Sequence, residues 1–421
     1  MKDFRRNITL ISLILAGEAV FFLPFVLARI FRPTLLLVFN ISNTELGNWF
    51  SVYGIVAMIS YFFGGPLADR FPARNLMALA LWLTSLGGFW MALIPGSAVM
   101  LGLYAFWGMT TIFLFWAALI RATREWGGNG FQGRAFGWLE GGRGITAALI
   151  GTFSLFLFSD LMPGNLNGSI VSQRINAFKL VVAATSCIVF LAGVLVWIFV
   201  PKKSSDLYKT TIPFKTIKTL MARPVIWMLS LIIVCAYVGY KITDDFSLYA
   251  HVVLKFDEVK AAGVGTAALW MRALIAILAG YLADRTSANK IITVSFAFSV
   301  LGGLFIAAGF VNTYIVLALT NLAMIMAGVY GVRALYFALI SEMGFSLSTT
   351  GTIVGIISVI GFTPDIFMSP WMGRLLDNHP GVTGHRLVFL VLASFSAFGL
   401  LVSFLLKRFR PAENVQGITD L

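Results

Sequence analysis

Ionisable side chains inside long apolar runs are the residues of this chain that could do chemistry. A charged side chain costs about 2.5–3.5 kcal/mol at the centre of a membrane-spanning helix, so each one marks a functional candidate. The full set is Glu18, Arg29, Glu140, Arg143, Lys241, Asp244, Asp245, Arg272, Arg333, Glu342 and Asp365. The acids could bind and release a proton, and the cations could hold the charged group of an anionic substrate.

Four acids are candidates for proton coupling. Glu18 lies near the middle of the first apolar run, where a carboxyl either carries a proton or forms a permanent ion pair with an arginine of another helix. Asp244 and Asp245 follow Lys241 at spacings of three and four, which places the three side chains on one side of a helix. They either couple protons to transport or neutralise one another at the outer mouth of a pathway. The predicted proton-coupling residues are Glu18, Asp244, Asp245 and Asp365.

Arg272 is the leading candidate for contact with a substrate. It lies near the middle of the eighth apolar run, and no acid is within one helical turn of it. Its partner must come from another helix or from the substrate, and a guanidinium matches carboxylate and phosphate groups. The predicted substrate-binding residues are Arg29, Lys241, Arg272, Tyr237 and Tyr240.

Glu140 and Arg143 are three residues apart in a glycine-rich segment at the inner end of the fifth run. They predict an intrahelical ion pair on a helix that approaches a neighbour closely, as a sliding gate requires. Arg121 and Arg333, near the inner ends of the fourth and tenth runs, are interpreted as side chains that snorkel to the interface.

The elements that must position these residues are membrane-spanning helices. The chain is 59% hydrophobic and 12% charged, whereas soluble domains carry roughly 25% charged residues. A spanning helix needs about 20 apolar residues, and twelve such runs are predicted. They lie at 8–31, 45–67, 75–95, 98–121, 135–158, 176–200, 224–249, 261–283, 290–310, 314–338, 349–371 and 386–407. A transmembrane β-barrel is rejected because the runs are apolar on all sides instead of alternating.

The distribution of Lys and Arg predicts the orientation of the chain. Most of them fall in the segments on the side of the N-terminus, so both termini are expected inside the cell. This topology accounts for the net charge of +13, and the expected partner of the inner basic loops is the lipid bilayer, not nucleic acid. Three histidines at outer positions, His251, His379 and His385, show no metal-ligand spacing, and the two cysteines are interpreted as packing residues. We expect no metal and no cofactor.

A repeated turn divides the chain into halves. Gly65-Pro-Leu-Ala-Asp69-Arg70 closes the second run and Gly280-Tyr-Leu-Ala-Asp284-Arg285 closes the eighth, an offset of 284 − 69 = 215 residues. The predicted domains are an N-terminal six-helix bundle at 1–200, a cytoplasmic linker at 201–222 and a C-terminal six-helix bundle at 223–421. The same offset places Arg29 opposite Asp244.

These turns resemble the loop signature of the major facilitator superfamily, Gly-x-x-x-Asp-Arg-x-Gly-x-Arg/Lys, although Pro72 and Ser287 replace the second glycine. The resemblance implies an all-α membrane protein of twelve helices in two pseudo-symmetric bundles that alternate around a midplane site. The predicted gating residues are Gly65, Asp69, Arg70, Arg74, Glu140, Arg143, Gly280, Asp284 and Arg285. When the cavity opens outward, Asp69 is expected to contact the start of the eleventh helix near Ser348–Gly351 and to latch the halves together, and Arg70 and Arg74 are expected to add contacts to inner acids such as Glu125.

A second, weaker resemblance concerns the seventh run. Its sequence from Tyr237 to Tyr249, with Lys241 and Asp245-Phe-Ser, is similar to the seventh helix of organophosphate/phosphate antiporters, whose first helix also carries an arginine that Arg29 or Arg32 could match. This similarity implies an anionic substrate.

The function predicted is secondary transport of a small organic anion across the inner membrane by a monomer, coupled to protons or to anion exchange. One alternative is a proton-driven exporter of cationic compounds that binds them at Glu18 and Asp365. Another is a non-transporting receptor or scaffold. An enzyme is not expected, and the G-x-G-x-x-G match at 128–133 follows an apolar run instead of a strand, so we do not read it as a nucleotide site.

Overall fold

A computed structural model describes residues 2–128, 132–162, 171–202, 214–310, 314–345 and 347–409. These residues are almost entirely helical, and they contain no β-strand. The prediction of an all-α membrane protein is confirmed.

Six helices of the N-terminal half form one bundle, the N-bundle. They are α1 (Lys2–Phe21, continued by a π-helical turn at Phe22–Val26 and by Leu27–Ile30), α2 (Asn43–Arg70), α3 (Ala73–Met91), α4 (Ser97–Gly108, a π-helical stretch at Met109–Trp116, and Ala117–Gly127), α5 (Gln132–Leu161) and α6 (Val171–Phe199). A short helix, Arg32–Phe39, joins α1 to α2. The core of this bundle is apolar and continuous, and α3 packs against α6 while α1 packs against α5 and α6.

Six helices of the C-terminal half form the C-bundle. They are α7 (Pro224–Ile242, a 3-10 turn at Thr243–Asp245, and Phe246–Val252), α8 (Glu258–Arg285), α9 (Ala288–Ala308), α10 (Ile315–Leu335, followed by Ala338–Glu342), α11 (Leu347–Gly361 and Pro364–Asn378) and α12 (Val382–Leu406). Here α9 packs against α10 and α12. The predicted linker at 201–222 is described only in part, and the domain boundaries stay a prediction.

Eleven of these helices are long and apolar enough to cross a membrane by themselves. The twelfth is α3, which is 19 residues long and whose first turns contain Arg74 and Asn75. It still has to cross, because α2 ends on the side of the N-terminus and α4 starts on the opposite side. We call the side that carries the N-terminus, Arg70 and Arg285 the terminal side, and the opposite side the far side.

Local signals fix several helix starts. Ser42 accepts a hydrogen bond from the Glu45 N–H while the Glu45 side chain accepts one from the Ser42 N–H, a reciprocal capping box at the start of α2. Asp257 caps α8 through the Lys260 N–H. These caps lie where the polar connections of the sequence meet the apolar runs.

The two bundles touch on the far side and separate on the terminal side. A Cβ at Gly47 of α2 would lie 2.5 Å from the Ser369 carbonyl oxygen of α11, so this contact requires glycine. At the other ends of these helices the bundles part, since a Cβ at Gly65 of α2 or Gly280 of α8 would meet no described atom within 4 Å. We infer that the space between the bundles opens to the terminal side, and we call this space the cavity.

Candidate functional site

Interruptions in the helices position the candidate side chains. In α1 the π-helical turn at Phe22–Val26 contains Pro24, which has no N–H to donate. In α7 the 3-10 turn at Thr243–Asp245 places two acids in the middle of a buried helix. Both interruptions face the contact between the bundles, and two groups of charged residues lie there.

The first group is the far-side cluster, which closes the cavity. It consists of Arg29, Arg32, Lys241, Asp244, Asp245, Asp365 and His385. Arg29 of the N-bundle holds Asp244 of the C-bundle, with the Nε and Nη2 atoms each 2.6 Å from Oδ1. Both residues are buried, and they are 215 residues apart. The repeat offset therefore identified two residues that pair with each other.

Lys241 is enclosed in the far-side cluster. Its Nζ lies 3.5 Å from Asp244 Oδ2 and 3.4 Å from Asp365 Oδ1. The same ammonium lies 4.7 Å and 4.8 Å from the ring centroids of Phe25 and Phe50 in the N-bundle. Lys241 therefore contacts side chains of both bundles in this conformation, and its own side chain is only 2% exposed.

Two further side chains, Tyr237 and Asn43, form hydrogen bonds with members of this cluster. Tyr237 donates to Asp365 Oδ2 at 2.9 Å. Arg32 donates to Asn43 Oδ1 at 3.0 Å through Nη2 and reaches the Asp244 carbonyl oxygen at 3.5 Å.

Asp245 pairs with a histidine and not with Lys241. Its Oδ2 atom lies 2.7 Å from His385 Nδ1 on α12, and both residues are buried. Sequence reasoning placed His385 at an outer position and missed this pair, because residues 140 apart in the chain give no local signal.

The second group is the central cluster, which borders the cavity. It consists of Glu18, Glu140, Arg143, Arg272 and Arg333. Glu18 is 3.0 Å from Arg272 Nη1 and 3.3 Å from Arg143 Nε, and Arg143 Nη1 is 2.7 Å from Glu140. For Glu18 the structure thus contains the ion-pair alternative, Arg272 has its partner on another helix, and the Glu140–Arg143 pair is intrahelical as expected.

Arg333 differs from the other cations of the central cluster. No carboxylate of the described residues lies within ion-pair distance of it, and its buried Nη1 atom has no hydrogen-bond partner there. The guanidinium carbon lies 3.7 Å from the Tyr240 ring centroid and 5.8 Å from that of Tyr237. The interpretation of Arg333 as a snorkelling side chain is wrong, because its guanidinium packs on these two rings of the neighbouring helix α7.

Tyr240 links the two clusters. Its hydroxyl accepts a hydrogen bond from Arg29 Nη1 at 3.0 Å, and the Arg29 guanidinium also lies 4.4 Å from its ring centroid. One phenol ring is therefore in contact with a cation of each cluster, since Arg333 packs on the same ring.

The predicted gating turns lie apart from both clusters. Asp69, Arg70, Asp284 and Arg285 are exposed on the terminal side. Arg74 packs on the Trp197 ring at 4.7 Å, and Glu125 pairs with Arg121 at 2.9 Å. The contact of Arg70 or Arg74 with Glu125 was expected for the state in which the cavity opens outward, so it stays a prediction, and the side chains of Ser348–Gly351 lie outside the described residues.

Glu342 has a structural contact on the terminal side. Its carboxylate accepts hydrogen bonds from the Ala288 and Asn289 N–H groups at the start of α9. A carboxylate in this position satisfies helix N–H groups that have no partner within the helix.

A carboxylate also closes the far side. Asp377 at the end of α11 accepts hydrogen bonds from the N–H groups of Asn43 and Thr44 at 3.1 and 2.8 Å. The side chains of these two residues donate to it as well, at 3.1 and 2.6 Å. A second contact between the bundles, Arg174 to Glu258 at 3.1 Å, lies on the same side.

Comparison with known proteins decides the family. Residues 8–342 match the sequence model of the Major Facilitator Superfamily. The chain belongs to this superfamily. Its twelve helices in two bundles are the fold of a major facilitator, and it is a multi-pass membrane transporter.

Relatives of similar length occur among curated proteins. The inner membrane protein YqcE of Escherichia coli (strain K12) is 28% identical over 432 residues, covering 100% of this chain and 99% of the relative. The inner membrane protein YihN of the same organism is 25% identical, covering 94% of each. Both relatives are named as inner membrane proteins.

Solved major facilitator structures share the fold at low sequence identity. A D-xylose–proton symporter has a TM-score of 0.78 at 15% identity, covering 99% of this chain and 100% of its own. A bacterial homologue of the human lysosomal transporter Spinster, in an inward-facing and unoccupied conformation, has a TM-score of 0.72 at 16% identity, covering 97% and 99%. At these identities the likeness concerns the fold alone.

Proposed function

We propose that this protein transports a small organic anion, such as a sugar phosphate or a carboxylate, by alternating access. The observation that supports this most strongly is Arg333, a cation beside the cavity without an acidic partner among the described residues. Arginine stays charged at all physiological pH values, and its planar fork binds carboxylate and phosphate in two hydrogen bonds.

The charge balance of the central cluster supports the same substrate class. Its cations are Arg143, Arg272 and Arg333, and its acids are Glu18 and Glu140. One positive charge is left over, and a bound anion would neutralise it. A cationic substrate would add to this excess.

Glu18 offers a way to couple the anion to a proton. Its carboxylate engages both Arg272 and Arg143. Protonation of Glu18 weakens these pairs and leaves two guanidinium groups for the substrate, so that proton and anion bind together. Tyr237 and Tyr240 are proposed as the aromatic wall of this site, and Arg29 and Lys241 as substrate contacts that become free only when their acids are released.

The far-side cluster and the terminal-side turns are proposed as two alternating gates. The excess of Lys and Arg on the terminal side supports placing that side in the cytoplasm, and with this placement we propose that the conformation is an inward-open state. Opening to the outside would separate Arg29 from Asp244 and would bring Gly65 and Asp69 against the C-bundle. We propose the inner membrane as the location, in line with the names of the relatives, and a monomer as the working unit.

The main alternative, a proton-driven exporter of cations, needs free acids in the pathway. Its two proposed acids are both engaged, Glu18 by Arg143 and Arg272 and Asp365 by Lys241. A cation would have to displace these partners, which makes this alternative the weaker one.

Thermal unfolding of the purified protein tests the substrate class. We expect anions such as glycerol 3-phosphate or gluconate to stabilise it, by about 2.7 kcal/mol at 100 times Kd, and lipophilic cations such as ethidium to have no effect. At the same anion concentration, Arg333→Gln should reduce the stabilisation to about 0.4–1.4 kcal/mol, whereas Arg223→Gln, at an exposed position on the terminal side, should keep it. Stabilisation by cations alone would contradict the proposal.

A further inference from the structure

The buried pair of Asp245 and His385 differs from the ion pairs around it because its basic partner is an imidazole and not an arginine or lysine. His385 Nδ1 lies 2.7 Å from Asp245 Oδ2, and the two residues are 2% and 0% exposed. The second carboxylate oxygen of Asp245 has no hydrogen-bond partner among the described residues. The edge of the Tyr249 ring packs on the imidazole, with ring centroids 5.7 Å apart.

An imidazole beside a carboxylate can hold one or two protons. Histidine changes its charge between about pH 5 and 8, and a coupled pair titrates as a unit. His251 instead contacts the Phe256 carbonyl oxygen at 2.8 Å, and His379 is exposed. Among the described residues, therefore, only His385 pairs with an acid.

Charged groups from both bundles face this pair. In the closed far-side cluster these are Arg29 and Arg32 from the N-bundle, Lys241 and Asp244 from α7, and Asp365 from α11. Within the cluster, three cations balance three acids when Asp245 is included and His385 is neutral, and Asp377, an exposed carboxylate at the far-side rim, also acts on Arg32. A further proton on the pair would make this enclosed cluster positive.

Separation of the bundles on the far side changes that balance. Arg29 and Arg32 move away with the N-bundle, and the C-bundle keeps Lys241 against three aspartates. Loss of two nearby cations makes a positive charge on the Asp245–His385 pair more favourable. Opening of the far side therefore removes the repulsion between these two arginines and a positive charge on the pair.

We propose that Asp245 and His385 form a proton-binding site that is loaded from the far side in the open state and emptied when Arg29 and Arg32 return. The proposal rests on the alternating access proposed above. Asp244, the chain neighbour of Asp245, contacts Lys241, which contacts Asp365, and that residue accepts from Tyr237.

Spin-label distances measured across the far side test this proton-binding site, and the measurement does not require a known substrate. Spin labels at Leu37 of the N-bundle and Val382 of the C-bundle, both exposed, report on the full-length protein in nanodiscs with Cys187 and Cys235 replaced by alanine. Lowering the pH from 8 to 5.5 should raise the far-side-open fraction about threefold. Asp245→Asn should be open at both pH values, His385→Gln should lose the pH response, and His379→Gln should keep it.

The outcomes separate the two proposals. An unchanged pH response in His385→Gln overturns the proton site and leaves alternating access standing. A far-side distance in the unsubstituted protein that responds neither to pH nor to glycerol 3-phosphate overturns both.

A second measurement does not depend on the His385 variant being folded. Nitrogen-15 NMR of histidine-labelled protein should show three imidazoles, two of them assigned by His251→Gln and His379→Gln. The remaining signal should change its protonation between pH 8 and 5.5 in parallel with the far-side distance. An imidazole that keeps one protonation state over this range contradicts the proposal.

Discussion

The far-side cluster and the central cluster contain the same residue types but differ in balance and access. The far-side cluster joins the bundles with equal numbers of arginine or lysine and aspartate residues, and Lys241 and Asp244 within it are almost fully enclosed. The central cluster borders the cavity, the Glu140 side chain is 58% exposed, and Arg333 has no acidic partner among the described residues. A cluster whose enclosed charges balance one another holds a conformation. A cluster that borders the cavity and has a surplus positive charge can bind an anion.

The largest expected effect is on the free energy of unfolding, which should respond differently to substitutions in the two clusters. Asp244→Ala leaves Arg29 buried without its partner, which costs about 3–5 kcal/mol of unfolding free energy. Arg333→Gln removes a charge that has no acidic partner among the described residues and packs only on aromatic rings, so it should cost less than about 1 kcal/mol. Thermal unfolding in the same detergent compares the two variants.

A double variant sharpens this comparison. Arg29→Met combined with Asp244→Leu removes both buried charges and should regain most of the stability lost in Asp244→Ala. Equal destabilisation by Asp244→Ala and Arg333→Gln would remove the distinction between a structural and a binding cluster.

The next effect concerns binding. Arg333→Gln should weaken the affinity for the best anion of the panel by about 10- to 100-fold, since a charge-assisted hydrogen bond contributes about 1.5–3 kcal/mol. Isothermal titration calorimetry measures it, with Arg223→Gln as the control. An unchanged Kd would place the anion elsewhere.

Glu18→Gln should act in the opposite direction. The amide no longer neutralises Arg143 and Arg272, so anion affinity should rise by about tenfold. Isothermal titration calorimetry measures this. An affinity equal to that of the unsubstituted protein would show that Glu18 is only a structural partner of the arginines.

The smallest expected effect is at the far-side rim. Asp377→Ala removes the acceptor for two N–H groups of α2 and should destabilise the closed far side by about 1 kcal/mol, raising the open fraction about fivefold. The spin-label distance between Leu37 and Val382 reports it. Asp257→Ala, which removes a helix cap within one bundle on the same side, should leave the distance unchanged, and an equal response of both variants would argue against a specific contact between the bundles.

The sequence predicts much of the fold because each span is a local property. Apolar runs indicated all twelve helices, and α3 departs from the others only because its first turns carry Arg74 and Asn75. The offset between the repeated turns also predicted that Arg29 lies opposite Asp244, since a duplicated fold places equivalent positions of α1 and α7 across one axis.

The partners of the charged residues are less predictable. Glu18 meets Arg272 across 254 residues, and Asp245 meets His385 across 140. Such pairs depend on how each helix is rotated about its axis, and the π-helical turn in α1 changes that rotation locally. Arg333 was interpreted as an interfacial side chain for the same reason, because its depth could be estimated from the sequence but its direction could not.

Counterflow in proteoliposomes tests the central claim most directly. Vesicles loaded with a sugar phosphate such as glycerol 3-phosphate should take up the labelled compound, and vesicles with Arg333→Gln should lose most of that uptake. Ethidium should not be transported by either protein. Uptake of ethidium with no uptake of any anion of the panel, unaffected by Arg333→Gln, would contradict the account.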